Sequence, residues 1–174
     1  MGSRAINSDT PETVVFHDST FFRKFGSGAK LPSPEEVRTE GAIQHGALPG
    51  ASHQKPVFFE QLGLVVKWGG YEAVEEAHCM RMIRMQCGAR IPVPEIYGWI
   101  REPSNAIYPH FPQVFIYMER IPGVTLSDRL ESLTDQELDY ITSQLTEMFK
   151  TLREIRQPPN LQYVGKIPLN QCEN

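Results

Sequence analysis

The run Leu64-Val65-Val66-Lys67 constrains this chain more than any other stretch. Three β-forming residues lead straight into a lysine, and Gly69-Gly70 then break the run, so it reads as a buried strand ending in a charge. A helix is expected from about Glu72 to Gln86, with Gly88 as its natural stop. On that helix Glu76, Met80, Ile83 and Cys87 follow at spacings of four, three and four, which puts them on one face and sets a carboxylate on an otherwise apolar stripe. A buried carboxylate is costly unless it meets an opposite charge, and Lys67 is the nearest candidate in sequence. Glu75 is the competing partner, but it shares its face with His78, Cys79, Met82 and Gln86, a wetter set. The residues therefore point to a Lys67–Glu76 pair. The alternative is a strand-end lysine in water beside a solvated acidic helix, and spacing alone leaves both open.

At 174 residues the chain suits one domain, or one and a fraction, and can bury a real core. A hydrophobic fraction of 40%, a charged fraction of 22% and a formal charge of -4 with acids and bases interspersed suit a soluble globular protein. That balance points away from a nucleic-acid surface. Cys79, Cys87 and Cys172 form an odd, sparse set that reads as reduced thiols, not as a disulfide framework. No apolar run approaches the ~20 residues that span a bilayer, and no signal-peptide core marks the N-terminus. Met1-Gly2 is not followed by Ser or Thr at position 6, where Ile stands, so myristoylation is not expected. A cytoplasmic protein without a membrane partner is the expectation. Metal is not expected either, because His78, Cys79 and Cys87 lack ligand spacing.

Along the chain, residues 1–31 read as a mobile arm carrying one aromatic cluster, Phe21, Phe22 and Phe25, able to dock on the body. Gly26-Ser27-Gly28-Ala29-Lys30 lacks the Gly-Lys-Ser/Thr order of a phosphate loop and reads as a turn. Ser33-Pro34-Glu35-Glu36 is a capping box that opens a short helix to about Thr39, followed by a glycine-rich loop with a weak strand at Ala42 to Gln44. Val57 to Glu60 and Leu64 to Lys67 read as a hairpin about Gln61-Leu62-Gly63. Two further strands are expected over Glu95 to Arg101 and Pro112 to Met118. A second capping box, Thr134-Asp135-Gln136-Glu137, opens the clearest helix, with Leu138, Ile141, Leu145, Met148, Leu152 and Ile155 recurring at three and four. That stripe has almost no chain left to cover it, so a protein partner or association is expected there.

Taken in order, Val-Val-Lys at 65–67, Glu-Ala at 76–77, Ile-Pro-Val-Pro at 91–94, Tyr-Met-Glu at 117–119 and Gly-x-Thr-Leu at 123–126 resemble the aminoglycoside phosphotransferase family. That family has a protein-kinase-like fold and includes choline kinase relatives; the likeness is greatest to its fungal branch and covers about residues 31–169. The resemblance implies an α+β fold, with a kinase-like N-terminal lobe of an antiparallel sheet plus one helix over residues 32–118 and a hinge at 119–123. Residues 124–174 would supply the first helices of an incomplete C-terminal lobe. It further implies that Lys67 contacts the α- and β-phosphates of ATP and that Glu76 orients it. Val65 would wall the adenine, and the backbone of Glu119 and Ile121 would meet the adenine edge.

Phosphoryl transfer in that architecture needs a carboxylate to position the attacking hydroxyl and another acid to hold magnesium. The family takes these from a His-Gly-Asp loop with a downstream Asn and from a later Asp. In this sequence the last histidine is His110, the last aspartate is Asp139 inside the long helix, and no His-x-Asp occurs. The expectation is an incomplete phosphotransferase-like protein that keeps the ATP-binding lobe without catalytic residues, Mg²⁺ being relevant only if a missing lobe is supplied. The alternatives are a fragment of a full-length small-molecule kinase and a non-catalytic binding module.

Overall fold

A computed structural model of the chain describes residues 12–46, 55–70, 73–103 and 112–156. They form an α+β fold around one five-stranded antiparallel sheet. In chain order the elements are β1 (Glu12–Val15), α1 (Thr20–Phe25), α2 (Pro34–His45), β2 (Val57–Phe59), β3 (Leu64–Gly69), α3 (Ala73–Cys87), β4 (Ile96–Glu102), β5 (Gln113–Glu119), α4 (Leu126–Arg129) and α5 (Asp135–Glu154). Across the sheet the strands run β1-β4-β5-β3-β2. The expected hairpin forms, with Val57 opposite Val66 and Phe59 opposite Leu64. A 3-10 turn at Glu60–Leu62 closes it, with Gly63 at φ 60°, a left-handed conformation that glycine adopts at little cost.

Side chains alternate across the strands, so β3 and β5 feed two cores. Leu64, Val66, Phe115 and Tyr117 pack with Val37, Val57, Tyr97, Phe21 and Phe22 on one face. Val114, Ile116 and Met118 pack with Ile96, Trp99, Val74 and Ala77 on the other. Helices α1 and α2 supply the first face and α3 the second. Strand β5 is central and buried from Gln113 to Met118, which is why its sequence reads as an unbroken apolar run.

Three sequence expectations need correction. The sheet carries three helices, not one, and residues 12–31 pack into the fold instead of forming a mobile arm: β1 pairs with β4, and Phe21 and Phe22 are buried. The reason is that both faces of the sheet are apolar, so the second one needs a cover. Residues 1–11 lie outside the described set. Third, α2 runs to His45, past the expected end at Thr39 and through the expected strand at Ala42 to Gln44. Gly41 falls in the expected glycine-rich loop. It serves instead as a contact point, where an added Cβ would lie 3.0 Å from Val57 Cγ2 and 3.1 Å from the Trp68 ring. The Ser33 capping box is present. At the far end of α2 the Gln44 amide exchanges hydrogen bonds with the Phe58 backbone at 2.7 and 3.0 Å, which occupies the outer edge of β2.

Strand β4 carries a bulge: Ile96 faces Met118 while Gly98 faces Tyr117, so Tyr97 is the extra residue. Its ring turns into the core shared with α1 and α2. The backbone of β1 passes Gly98 so closely that any Cβ there would collide with the Val14 carbonyl oxygen.

Beyond β5 the Thr125 hydroxyl caps α4, and the Thr134 capping box opens α5 as the sequence predicts. No α5 residue is buried among the described residues; Leu138, Tyr140, Leu145 and Phe149 are exposed. Arg90, in the turn that follows α3, reaches Glu154 at the end of α5 at 3.4 Å. No helix of the described residues is long and apolar enough to cross a membrane.

Candidate functional site

Strand periodicity places Val65 and Lys67 on the α3 side of the sheet, Val65 opposite Met118 and Lys67 opposite Ile116. From there Lys67 Nζ donates to both oxygens of Glu76, at 2.6 and 2.8 Å. The predicted pair is therefore present, but the reasoning that led to it needs correction. The two side chains remain 47% and 40% exposed, so Glu76 does not lie on a buried stripe. Helix α3 instead buries Val74, Ala77, His78 and Cys87. Val74 and Ala77 pack against the sheet with Met80 beside them, and His78 meets the Trp99 ring edge-on at 4.8 Å. His78, on the face expected to be wet, is thus part of the core. Glu76 sits in the first turn of α3, where the helix dipole favours a carboxylate.

Glu119 ends β5 opposite Leu64, three residues along β3 from Lys67. At the strand rise the two positions are roughly 10 Å apart, the kind of reach from a purine edge across a sugar to a first phosphate. The chain after β5 is held from both sides. Arg120 N–H donates to the Gly63 carbonyl at 3.0 Å, and its guanidinium reaches Glu60 at 2.8 Å. On the opposite edge Glu119 N–H donates to the Glu95 carbonyl at 2.8 Å. Successive amides of an extended chain point to opposite edges, so Glu119 and Ile121 share the edge that Arg120 does not use. Ile121 is 58% exposed.

A polar cluster that the sequence reading missed surrounds this point. The Glu95 carboxylate accepts the Thr20 N–H at 3.2 Å and the Thr20 hydroxyl, capping the start of α1. The Glu95 N–H donates to Glu119 Oε2 at 3.1 Å, and Arg84 approaches the same oxygen at 3.9 Å while donating to the Val93 carbonyl at 3.0 Å. Burial raises the Tyr97 phenol above its ordinary pKa; the Thr20 hydrogen bond opposes this, while the nearby Glu119 and Glu95 carboxylates add to it. Thr20, Arg84, Glu95 and Glu119 come from four separate parts of the chain, so no local spacing could reveal them.

Chemically, the arrangement offers a half-open ammonium group beside an apolar wall of Val65 and Met118, with a strand-end backbone in reach. It can hold an anionic group and a flat apolar one. Among the described residues no three His, Cys, Asp or Glu side chains converge as metal ligands.

Comparison with known proteins adds little to this. No family model matches the chain, and no solved structure matches it. The chain is 31% identical over 88 residues to two proteins described as subtelomeric hrmA-associated cluster proteins, from two strains of Aspergillus fumigatus. The match takes in 51% of this chain and 16% of each relative's length, so this chain corresponds to a small part of them.

Proposed function

We propose that residues 12–123 form the nucleotide-binding lobe of a kinase-like protein of the aminoglycoside phosphotransferase type. In this reading Lys67, oriented by Glu76, holds the phosphates of ATP. Val65 walls the adenine, and the Glu119 carbonyl with the Ile121 N–H meets its edge. The observation that carries the reading is the two-pronged Lys67–Glu76 pair, half open to solvent on the same sheet face as Val65. The order of elements supports it too: a lysine strand, a glutamate helix and two strands leading into a connector. Nothing after Asp139 supplies an aspartate or a His-x-Asp loop, so these 174 residues alone are expected to bind ATP without transferring its phosphate. A cytoplasmic location completes the proposal, with Mg²⁺ relevant only if a lobe carrying a metal-binding acid is supplied.

Equilibrium titration of ATP into the protein and its Lys67→Ala variant tests it. Binding that the substitution weakens is expected. No binding by the unaltered protein would remove the nucleotide reading, and Lys67-dependent phosphate transfer would remove the non-catalytic part.

A second reading, a binding module, draws on the exposed apolar residues of α5, Leu138, Tyr140, Leu145 and Phe149. A monodisperse monomer in sedimentation that takes up no hydrophobic dye would count against it.

A further inference from the structure

We infer that the Glu119 carboxylate frees its own main-chain carbonyl for a ligand by replacing that carbonyl in the β-ladder. In a hydrogen-bonded antiparallel pair the two residues exchange both N–H to carbonyl bonds. Glu119 and Glu95 make the first of these, Glu119 N–H to the Glu95 carbonyl at 2.8 Å. The return bond is diverted: Glu95 N–H donates to Glu119 Oε2 at 3.1 Å. A charged oxygen outcompetes a neutral carbonyl for the same donor. Both ends of the substitution are braced, the carboxylate by Arg84 at 3.9 Å and Glu95 by its hydrogen bonds to Thr20. With Arg120 N–H committed to Gly63 on the other edge, the chain cannot easily rotate to offer the carbonyl elsewhere. The Glu119 carbonyl is thereby an acceptor held in place for a donor on a flat ligand, such as the exocyclic amine of a 6-aminopurine. Glu119 is a positioning residue in this scheme.

The inference rests on the nucleotide reading above, and two measurements separate them. The first needs no ligand: the nuclear magnetic resonance coupling across the hydrogen bond from the Glu95 amide nitrogen to the main-chain carbonyl carbon of residue 119. It should be absent in the unaltered protein and appear in Glu119→Ala, where the amide has only that carbonyl to use. The second compares ATP with purine riboside triphosphate, which lacks the 6-amino group. The unaltered protein should prefer ATP by about fivefold, the worth of one ordinary hydrogen bond. Glu119→Ala should lose that preference. Arg84→Met, which removes only the brace and leaves the charged oxygen in place, should keep it. Main-chain coupling already present in the unaltered protein would overturn the inference, as would a Glu119→Ala variant that still prefers ATP while Lys67→Ala weakens binding. If the unaltered protein binds neither triphosphate, the inference and the nucleotide reading fall together.

Discussion

Replacing Lys67 by Ala separates a structural ion pair from a functional one. Were the pair buried, as the apolar stripe in the sequence suggests, losing one partner would cost about 3–5 kcal/mol because the other charge would be left unpaired. The side chains are instead 47% and 40% exposed. At that exposure water screens much of the attraction, and such a pair contributes about 0.2–1 kcal/mol even with good geometry. For a protein of this size each kcal/mol shifts the melting temperature by roughly 2–4 °C, so Lys67→Ala and Glu76→Gln should each melt within about 4 °C of the unaltered protein. The difference should shrink as salt is added. Nucleotide affinity should respond far more, because a charge-assisted hydrogen bond is worth about 1.5–3 kcal/mol, or roughly tenfold to hundredfold in affinity. Calorimetric melts at low and high salt, paired with titration of a fluorescent ATP analogue, read both quantities on the same samples. A drop in melting temperature beyond about 8 °C would show that the pair holds the fold together. An unchanged affinity would show that Lys67 does not meet the phosphates.

The N-terminal segment should prove essential to the fold: Phe21 is 2% exposed, so Phe21→Ala should cost about 3–5 kcal/mol in urea unfolding. A chain begun at residue 32 should lack the near-ultraviolet dichroism of a packed core; a native spectrum from it would refute the two-faced packing. Gly98→Ala should cost about 1–3 kcal/mol by forcing β1 off β4, visible as faster amide exchange at Val14 and Phe16, whose amides face β4, and unchanged exchange would mean the two strands do not pair in this register. Hydrogen bonds from the Thr134 backbone and then its hydroxyl hold the Glu137 carboxyl below the ordinary pKa. A depressed folded pKa stabilises the helix above the ordinary value and loses that effect as pH falls through the folded one. The far-ultraviolet helix signal should therefore decline in acid, and Glu137→Gln should flatten that decline at the α5 N-terminus.

Much of this protein is written in local pattern. Both capping boxes, at Ser33 and Thr134, are present where Ser/Thr precedes Glu by three residues, because a cap is satisfied within one turn and needs no distant partner. The β2–β3 hairpin and the long helix α5 follow from turn residues and a period of three and four for the same reason. The Lys67–Glu76 pair was legible too, since the lysine ends a strand and the glutamate opens the next helix, nine residues on.

What no local pattern could supply is the choice of surfaces. Whether Glu76 is buried depends on how far α3 rolls on the sheet, and that is decided by Val74 and Ala77 fitting beneath it. Likewise the second cover of the sheet comes from Phe21 and Phe22, which meet Tyr97 and Tyr117 across more than seventy residues. Gly41, read from sequence as part of a loop, and Gly98, inside an expected strand, are places where a neighbouring side chain or strand comes too close for a Cβ. The cluster of Thr20, Arg84, Glu95 and Glu119 belongs to this second class. Sequence alone determined the capping boxes, the hairpin, the long helix and the charged pair, because those depend on interactions within a few turns or across one connection. Tertiary structure decided burial, packing and the ladder exchange at Glu119, because those depend on which surfaces water leaves.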